Sequence, residues 1–373
     1  MRLTRLTLQD FRNYQGADIR PCPGVTVFYG DNAQGKTNIL EAIYLCCTGR
    51  SHRTPRDKEL IRWDAEFARV ELQVERLGGT REIEIIIPQK ERKTVKVSGN
   101  PIARSGELMG HINGVLFSPE DLRMVKDGPA ERRRFVDMEL SQIRPSYYYA
   151  LQRYNRALVQ RNRLLKEIAL RPALRDTLEA WDEQLARHGA EIIEHRRRFI
   201  RRLSRAALQN HLAISGGKER LEVVYKTSLA LSESPQETFE ILRQGLCAAR
   251  EQDIRRQTTS LGPHRDDLTL LLGGVDVRAF GSQGQQRTAA LSLKLSELEV
   301  MHEETGEWPI LMQDDVMSEL DPQRRRHLLT RFEPIQVLVS CTDMSDLAGA
   351  QVGAAYRIQS GTSTLSPAGL SLP

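Results

Sequence analysis

Val25-Thr26-Val27-Phe28-Tyr29-Gly30-Asp31-Asn32-Ala33-Gln34-Gly35-Lys36-Thr37-Asn38-Ile39-Leu40-Glu41-Ala42-Ile43-Tyr44 is the stretch that decides the fold. Its first five residues are β-branched or aromatic and read as a strand ending at Gly30. After Gly35, apolar residues at 39, 40, 43 and 44 have helical spacing. Between strand and helix, Gly30 to Thr37 fits G-x-x-x-x-G-K-S/T without a mismatch. The spacing has a chemical reason. Backbone N–H groups of such a loop curl around a β-phosphate, the lysine (Lys36) reaches the β/γ oxygens, and the hydroxyl (Thr37) ligates Mg²⁺.

A phosphate loop works with a second carboxylate across the metal, at the end of an apolar strand. Ile310-Leu311-Met312-Gln313-Asp314-Asp315 offers it, with Asp314 as the metal residue. Asp315, one position further along an extended chain, faces the other side and is suited to polarise an attacking water. The plainer alternative is a surface acid at a strand end. Gln313 interrupts the apolar run, which is unusual for a central strand. Gly281-Ser282-Gln283-Gly284-Gln285-Gln286-Arg287 precedes a helical stretch over 286 to 301. Free N–H groups and the helix dipole converge at such a start and make an anion site. One chain does not need two phosphate sites, so this loop is read as completing the nucleotide site of a second copy. An ordinary glycine-rich helix start is the alternative.

The chain has 373 residues, of which 40% are apolar and 28% charged. That length predicts two or three compact units. No apolar run approaches the roughly 18 residues a membrane span needs, and residues 1–10 lack a continuous apolar stretch, so a cytosolic protein is expected. Cys22, Cys46, Cys47, Cys247 and Cys341 form no C-x-x-C pair and suggest neither a disulfide framework nor a zinc site. The net charge of +5 is localised: residues 151–210 carry fourteen Lys or Arg against seven Asp or Glu. A solvated helix face and a phosphate-binding surface are both open readings of that excess.

Alternation at Leu3, Leu6, Leu8 and Phe11 predicts an opening strand, and Ile83–Pro88 with Thr94–Val97 an antiparallel hairpin. From Tyr147 the apolar positions follow three- and four-residue steps through Ile168, with Arg161 at the one interrupted position. Leu178 to Phe199 keeps the same spacing after the break at Pro172, which predicts an antiparallel helical hairpin. His188 and His195, a heptad apart, are seam residues on this reading. Arg132, Arg133 and Arg134 either line phosphates of DNA or cap a helix. Apolar character at both ends of the chain predicts one α/β sheet domain built from the terminal thirds.

This order of motifs, with Ser318-Glu319-Leu320-Asp321 following Asp315, resembles the ABC-type ATPases of the SMC and Rad50 group, and within it the RecF family. The likeness runs through Phe11-Arg12-Asn13-Tyr14, Gly49 to Thr54, Phe117 to Leu122, Arg132 to Phe135, Gly262 to Leu268 and Gly281 to Thr288. It implies a P-loop ATPase head with a mixed sheet, residues 1–105 and 215–373, and an inserted helical lobe at 106–214 with a short hairpin. It implies two ATP molecules between two face-to-face subunits. Gly30, Asp31, Asn32, Ala33, Gln34, Gly35, Lys36 and Thr37 of one chain would bind each, with Arg12 and Asn13 nearby. Ser282, Gln283, Gly284 and Gln285 would act from the other chain. Mg²⁺ falls to Thr37 and Asp314, hydrolysis to Asp315, and Asp321 to the loop facing the partner.

The resemblance further implies ATP-dependent binding to double-stranded or gapped DNA without sequence specificity. The role is recombinational repair and replication-gap processing, with RecO- and RecR-like partners helping to load a RecA-type recombinase. The usual hydrolytic glutamate is Asp315 here, and Thr342 stands where the usual switch histidine would be, so slow turnover is expected. An SMC-type chromosome organiser would need a far longer coiled coil than 147 to 210 provides. A transporter ATPase subunit would have no use for the basic hairpin, and a single-site kinase none for the Ser282 loop.

Overall fold

Leu3, Leu6, Leu8 and Phe11 cannot share one face of a regular strand, because two of the steps between them are odd. Strand Arg2–Phe11 nevertheless buries all four, through a register shift between Leu3 and Arg5 and a left-handed Asp10 at φ 47°. The computed structural model describes residues 1–230, 234–317, 334–347 and 349–366. The chain divides into two compact units, 1–122 with 294–373, and 123–293.

The first unit has two six-stranded sheets. In the first, antiparallel strands run in the order Tyr14–Ile19, Arg2–Phe11, Phe67–Arg76, Gly79–Pro88, Thr94–Val97, Asn100–Pro101. The expected hairpin is present, with Ile83 opposite Val97. In the second, the order is Thr362–Leu365, Val352–Gln359, Val25–Tyr29, Val337–Cys341, Ile310–Asp314, Gly114–Phe117. These strands are parallel except for the antiparallel edge at Thr362–Leu365, so N- and C-terminal segments interleave in one mixed sheet. Helix Lys36–Thr48 touches strands of both sheets and buries residues all round, Ile39, Leu40, Ile43 and Cys47 among them. Its approach to the second sheet is close: a Cβ on Gly114 would meet Cys47 Sγ at 2.7 Å and Met312 Cε at 2.8 Å.

The second unit is mainly helical, with a three-stranded antiparallel sheet of Val275–Asp276, Asp267–Leu272 and Leu221–Lys226. It therefore reaches Leu293, where the sequence reading closed the inserted lobe at 214. The reason is that Leu221–Lys226 pairs with Asp267–Leu272 and packs on the long helix Leu178–Ser215, and joins neither sheet of the first unit. Helices Pro145–Ile168 and Leu178–Ser215 pair antiparallel, as Tyr147 with Arg196, Arg161 with Asp182 and Ile168 beside Leu178 show. No helix among the described residues is long and apolar enough to cross a membrane.

Arg161, the interruption in the apolar stripe, is fully buried. Its Nε donates to Asp182 Oδ1 at 2.6 Å and its Nη1 to Asp253 Oδ2 at 2.7 Å and Thr259 Oγ1 at 2.9 Å. Removing one partner of a buried ion pair leaves an uncompensated charge, at a cost of about 3–5 kcal/mol. Arg161→Leu is expected to lose about that much in urea unfolding followed by circular dichroism. Arg163→Leu, which breaks only an exposed pair with Glu167, should lose less than about 1 kcal/mol. Equal midpoints for the two variants would contradict the assignment.

Candidate nucleotide-phosphate site

Gly30 and Gly35 bracket the loop at φ 146° and 115°. A Cβ on Gly30 would collide with the Ile358 carbonyl oxygen, and one on Gly35 would lie 2.7 Å from the Asn13 amide, so only glycine fits either position. Two turns brace the loop from behind. From the turn after Arg2–Phe11, Asn13 Nδ2 donates to Gln34 O at 2.8 Å and the Tyr14 hydroxyl to Gly35 O at 3.0 Å. From the turn after Val352–Gln359, Gly361 N–H donates to Gln34 O at 3.1 Å and Ser360 N–H to Gln34 Oε1 at 2.7 Å.

Lys36 Nζ donates to the carbonyls of Gly30 at 2.5 Å and Asp31 at 2.9 Å, which holds the ammonium inside the loop where phosphate oxygens would compete for it. Thr37 Oγ1 donates to Asp314 Oδ1 at 2.8 Å, and Ser340 Oγ donates to the same oxygen at 2.7 Å. A hydroxyl and a carboxylate so placed are the hard oxygen donors that suit Mg²⁺. Asn32, Gly35, Lys36, Thr37, Asp314 and Asp315 all line one cavity of about 360 Å³.

Asp315 reaches that cavity in a way the strand argument did not foresee. The strand ends at Asp314, and Asp315 is left-handed at φ 53°, with its N–H donating to Ser340 Oγ at 3.0 Å. Alternation across an extended chain therefore does not apply, and the turn brings both aspartates to one cavity. Gln313 is fully buried, and neither of its amide atoms finds a partner among the described residues. Thr342 Oγ1 donates to Asn32 Oδ1 at 3.2 Å, so the stand-in for the switch residue touches the phosphate loop.

Arg53 also lines the cavity, a cation the motif reading left without a role. Its Nη1 donates to Asn38 Oδ1 at 2.8 Å and lies 3.4 Å from Glu41 Oε2. Arg12 does not line this cavity; its Nε and Nη2 clasp the same Glu41 at 2.9 and 2.7 Å. Ser51 Oγ adds a third donor at 2.5 Å. Burial pushes the Glu41 pKa up, but the hydrogen bonds from Arg12 and Ser51 outweigh it and the net shift is downward, so the carboxylate stays ionised.

In the second unit, Ser282 and Gln285 form a capping box. Gln285 N–H donates to Ser282 Oγ at 3.2 Å, and Ser282 N–H to Gln285 Oε1 at 2.8 Å, at the start of helix Gln283–Thr305. Ser282, Gln283 and Gly284 are exposed. Arg132 is buried and clamped in two parallel bonds to Asp267 at 2.8 and 3.0 Å, which corrects its assignment as a DNA contact. Arg133 is half-buried and donates to Asp266 O at 2.8 Å, and Arg134 is the exposed member of the three. His264 is a structural turn residue, its Nδ1 2.6 Å from the Tyr154 hydroxyl and its pKa lowered by burial to about 4. Asp321 lies outside the described residues.

A family model described as an AAA domain matches residues 5–210. The DNA replication and repair protein RecF of Lachnoclostridium phytofermentans is 44% identical over 359 residues, covering 96% of this chain and 98% of that protein. RecF of Acetivibrio thermocellus is 45% identical over 346 residues, 92% of this chain and 94% of that protein. Among solved structures, the recombination mediator protein RecF-ATPrS of a RecFOR pathway superposes with a TM-score of 0.92 at 38% identity, covering 98% of both chains. An Smc head domain with an extended coiled coil from Pyrococcus furiosus shares the fold, with a TM-score of 0.56 at 18% identity over 98% of this chain and 95% of that one. On the strength of relatives 44% and 45% identical over 96% and 92% of its length, the chain belongs to the RecF family of DNA replication and repair proteins.

Proposed function

We propose that the protein is an ATPase of DNA repair and replication whose ATP-bound form closes as a dimer on DNA. The observation that carries this reading is the meeting of Lys36, Thr37, Asp314 and Asp315 around one cavity. The resemblance of the chain to a RecF-ATP structure at 37% identity, TM-score 0.90 and 98% coverage supports ATP as the nucleotide. The loop amides and Lys36 hold the β- and γ-phosphates. Thr37 and Asp314 would hold Mg²⁺, which would supply neutralisation of charge on the phosphate oxygens. Asp315 accepts a hydrogen bond from the attacking water and orients it towards the γ-phosphorus. The shorter aspartate and the absence of an imidazole at Thr342 favour slow hydrolysis, so that turnover times release from DNA.

The exposed Ser282 loop supports a site completed by a second copy, because its position at a helix N-terminus, where the dipole is positive, suits the γ-phosphate of the facing subunit. DNA is held through its phosphates without base readout, in double-stranded or gapped form, and Arg134 is the member of its cluster available for contact. RecO- and RecR-like proteins are the partners in loading a RecA-type recombinase, within the cytoplasm.

The molar mass in solution should double with Mg-ATP in the Asp315→Asn protein, which hydrolyses slowly, and stay monomeric in Lys36→Met and Ser282→Arg. Ser282→Arg should still bind ATP as a monomer; dimerisation of that variant at the normal ATP concentration would sink the shared-site reading. The ATP-bound form should bind a gapped duplex with an affinity that falls steeply between 50 and 200 mM salt, about 10³-fold or more for six or more phosphate contacts. Ser340→Ala removes a donor to Asp314 and the nearer of two acceptors for the Asp315 N–H, leaving the Ser340 carbonyl at 3.3 Å. Its kcat should fall roughly tenfold with Mg²⁺ affinity weakened, Ser340→Thr should restore both, and metal-free nucleotide binding should not change.

A further inference from the structure

Gln285, in the first turn of helix Gln283–Thr305, has both ends of its side-chain amide in use. Its Oε1 accepts from Ser282 N–H at 2.8 Å, and its Nε2 donates to Glu219 Oε1 at 2.8 Å. A carboxylate only accepts, so Glu219 fixes which way the amide points, with its NH₂ towards Glu219 and its oxygen towards Ser282. The other oxygen, Glu219 Oε2, lies 3.3 Å from His211 Nε2, and His211 Nδ1 lies 3.0 Å from Ser292 Oγ. Ser292 Oγ donates to Thr288 O at 2.7 Å, and Thr288 Oγ1 donates to Gly284 O at 2.8 Å, which returns the path to the Ser282 loop. His211 is fully buried and Glu219 half-buried, its N–H donated to Ser215 Oγ at 3.3 Å. This circuit ties the opening turns of one helix to the end of the long helix Leu178–Ser215.

Within the capping box the Ser282 hydroxyl oxygen accepts from Gln285 N–H, and its own hydrogen goes to no group among the described residues. That hydrogen is left for an acceptor outside the loop. We propose that Glu219 is a positioning residue for the phosphate contact made across the dimer: it holds the Gln285 amide so that the capping box stays closed and the Ser282 hydroxyl faces the γ-phosphate of the second copy. The inference rests on the proposed function, which supplies the second copy and its nucleotide. Glu219 acts through Gln285 and touches no phosphate itself. Its charge is turned towards His211 and the Gln285 amide, so it does not repel the anion it helps to bind. Without it the amide rotates, Ser282 N–H loses its acceptor, and the loop loses its fixed shape.

The test measures the dimer dissociation constant with Mg-ATP by analytical ultracentrifugation, taking the slowly hydrolysing Asp315→Asn protein as parent. Into it go Glu219→Ala, Glu219→Gln, Gln285→Ala and the double change Glu219→Ala with Gln285→Ala, and thermal unfolding is recorded for each. A hydrogen bond to a charged group contributes enough that Glu219→Ala should weaken dimerisation roughly 10- to 100-fold. Glu219→Gln keeps an oxygen that accepts from Gln285 and should recover most of the loss. ATP affinity of the monomer, read below the dimerisation concentration, should equal the parent's in both. Gln285→Ala should lose as much as Glu219→Ala, and the double variant no more than either, because residues that act as one unit are not additive. Dimerisation of Glu219→Ala at the parent's concentration overturns the inference, as do failure of Glu219→Gln to recover and additive losses in the double variant. Ser282→Arg is run alongside. If it dimerises like the parent, the shared-site reading fails and takes the inference with it; if it stays monomeric while Glu219→Ala dimerises normally, the inference alone fails.

Discussion

Strand Val25–Tyr29 pairs on both sides with segments more than 300 residues away, Val337–Cys341 and Val352–Gln359. Parallel neighbours always need a crossover, and here the crossover contains the entire second unit. Such a long closure is cheaper than it looks, because the entropy grows only with the logarithm of loop length; going from 30 to 300 residues adds about 2 kcal/mol. The core shared by both sheets and the Lys36–Thr48 helix readily offsets that. The pairing also sets the chemistry. Tyr29 lies opposite Cys341 and Ser340 opposite Asp314, so the phosphate loop, the Asp314 carboxylate and the serine that holds it emerge at the same edge of the sheet, the carboxyl end where open α/β sheets bind ligands.

Around this edge, function is arranged through a few buried polar groups. Glu41 is the clearest case: a carboxylate with no solvent contact is tolerated in the first helix because two guanidiniums and a hydroxyl surround it. It holds Arg53 at the cavity of the phosphate loop and Arg12 against the first helix, so neither cation wanders as a surface arginine would. Ser340 does the equivalent for acids, joining Asp314 to the backbone of Asp315 through one hydroxyl. In the helical unit, Arg161 holds Asp182 and Asp253 together, tying the hairpin to the helix Arg250–Arg256.

Much of this was legible from local signals. The phosphate loop follows from spacing that backbone geometry demands, and the strand before it and the helix after it follow from the side-chain period. A helix start after Gly281 was legible too, but not that Ser282 and Gln285 cap it and occupy two of its N–H groups. What escaped the sequence was set by distant partners or by single dihedral angles. Arg132 reads as a free cation until Asp267, 135 residues later, is placed against it. Asp315 reads as the next residue of a strand until its left-handed backbone ends that strand. Leu221–Lys226 falls within the head at 215–373 on the sequence reading, because a period of two does not say which sheet a strand joins. Arg53 had no motif chemistry of its own and gained its place only through Asn38 and Glu41.

The clamp on Gln34 has a consequence for how the molecule comes into being. One half of it, Asn13, is translated within the first few seconds, and the other half, Ser360 and Gly361, only after the residues between. At about 5–20 residues per second, the phosphate loop waits roughly 15–60 s on the ribosome without its second brace. A nascent chain therefore carries the nucleotide motif long before it has a nucleotide site, and premature termination before residue 360 leaves a protein with the loop's sequence but not its shape.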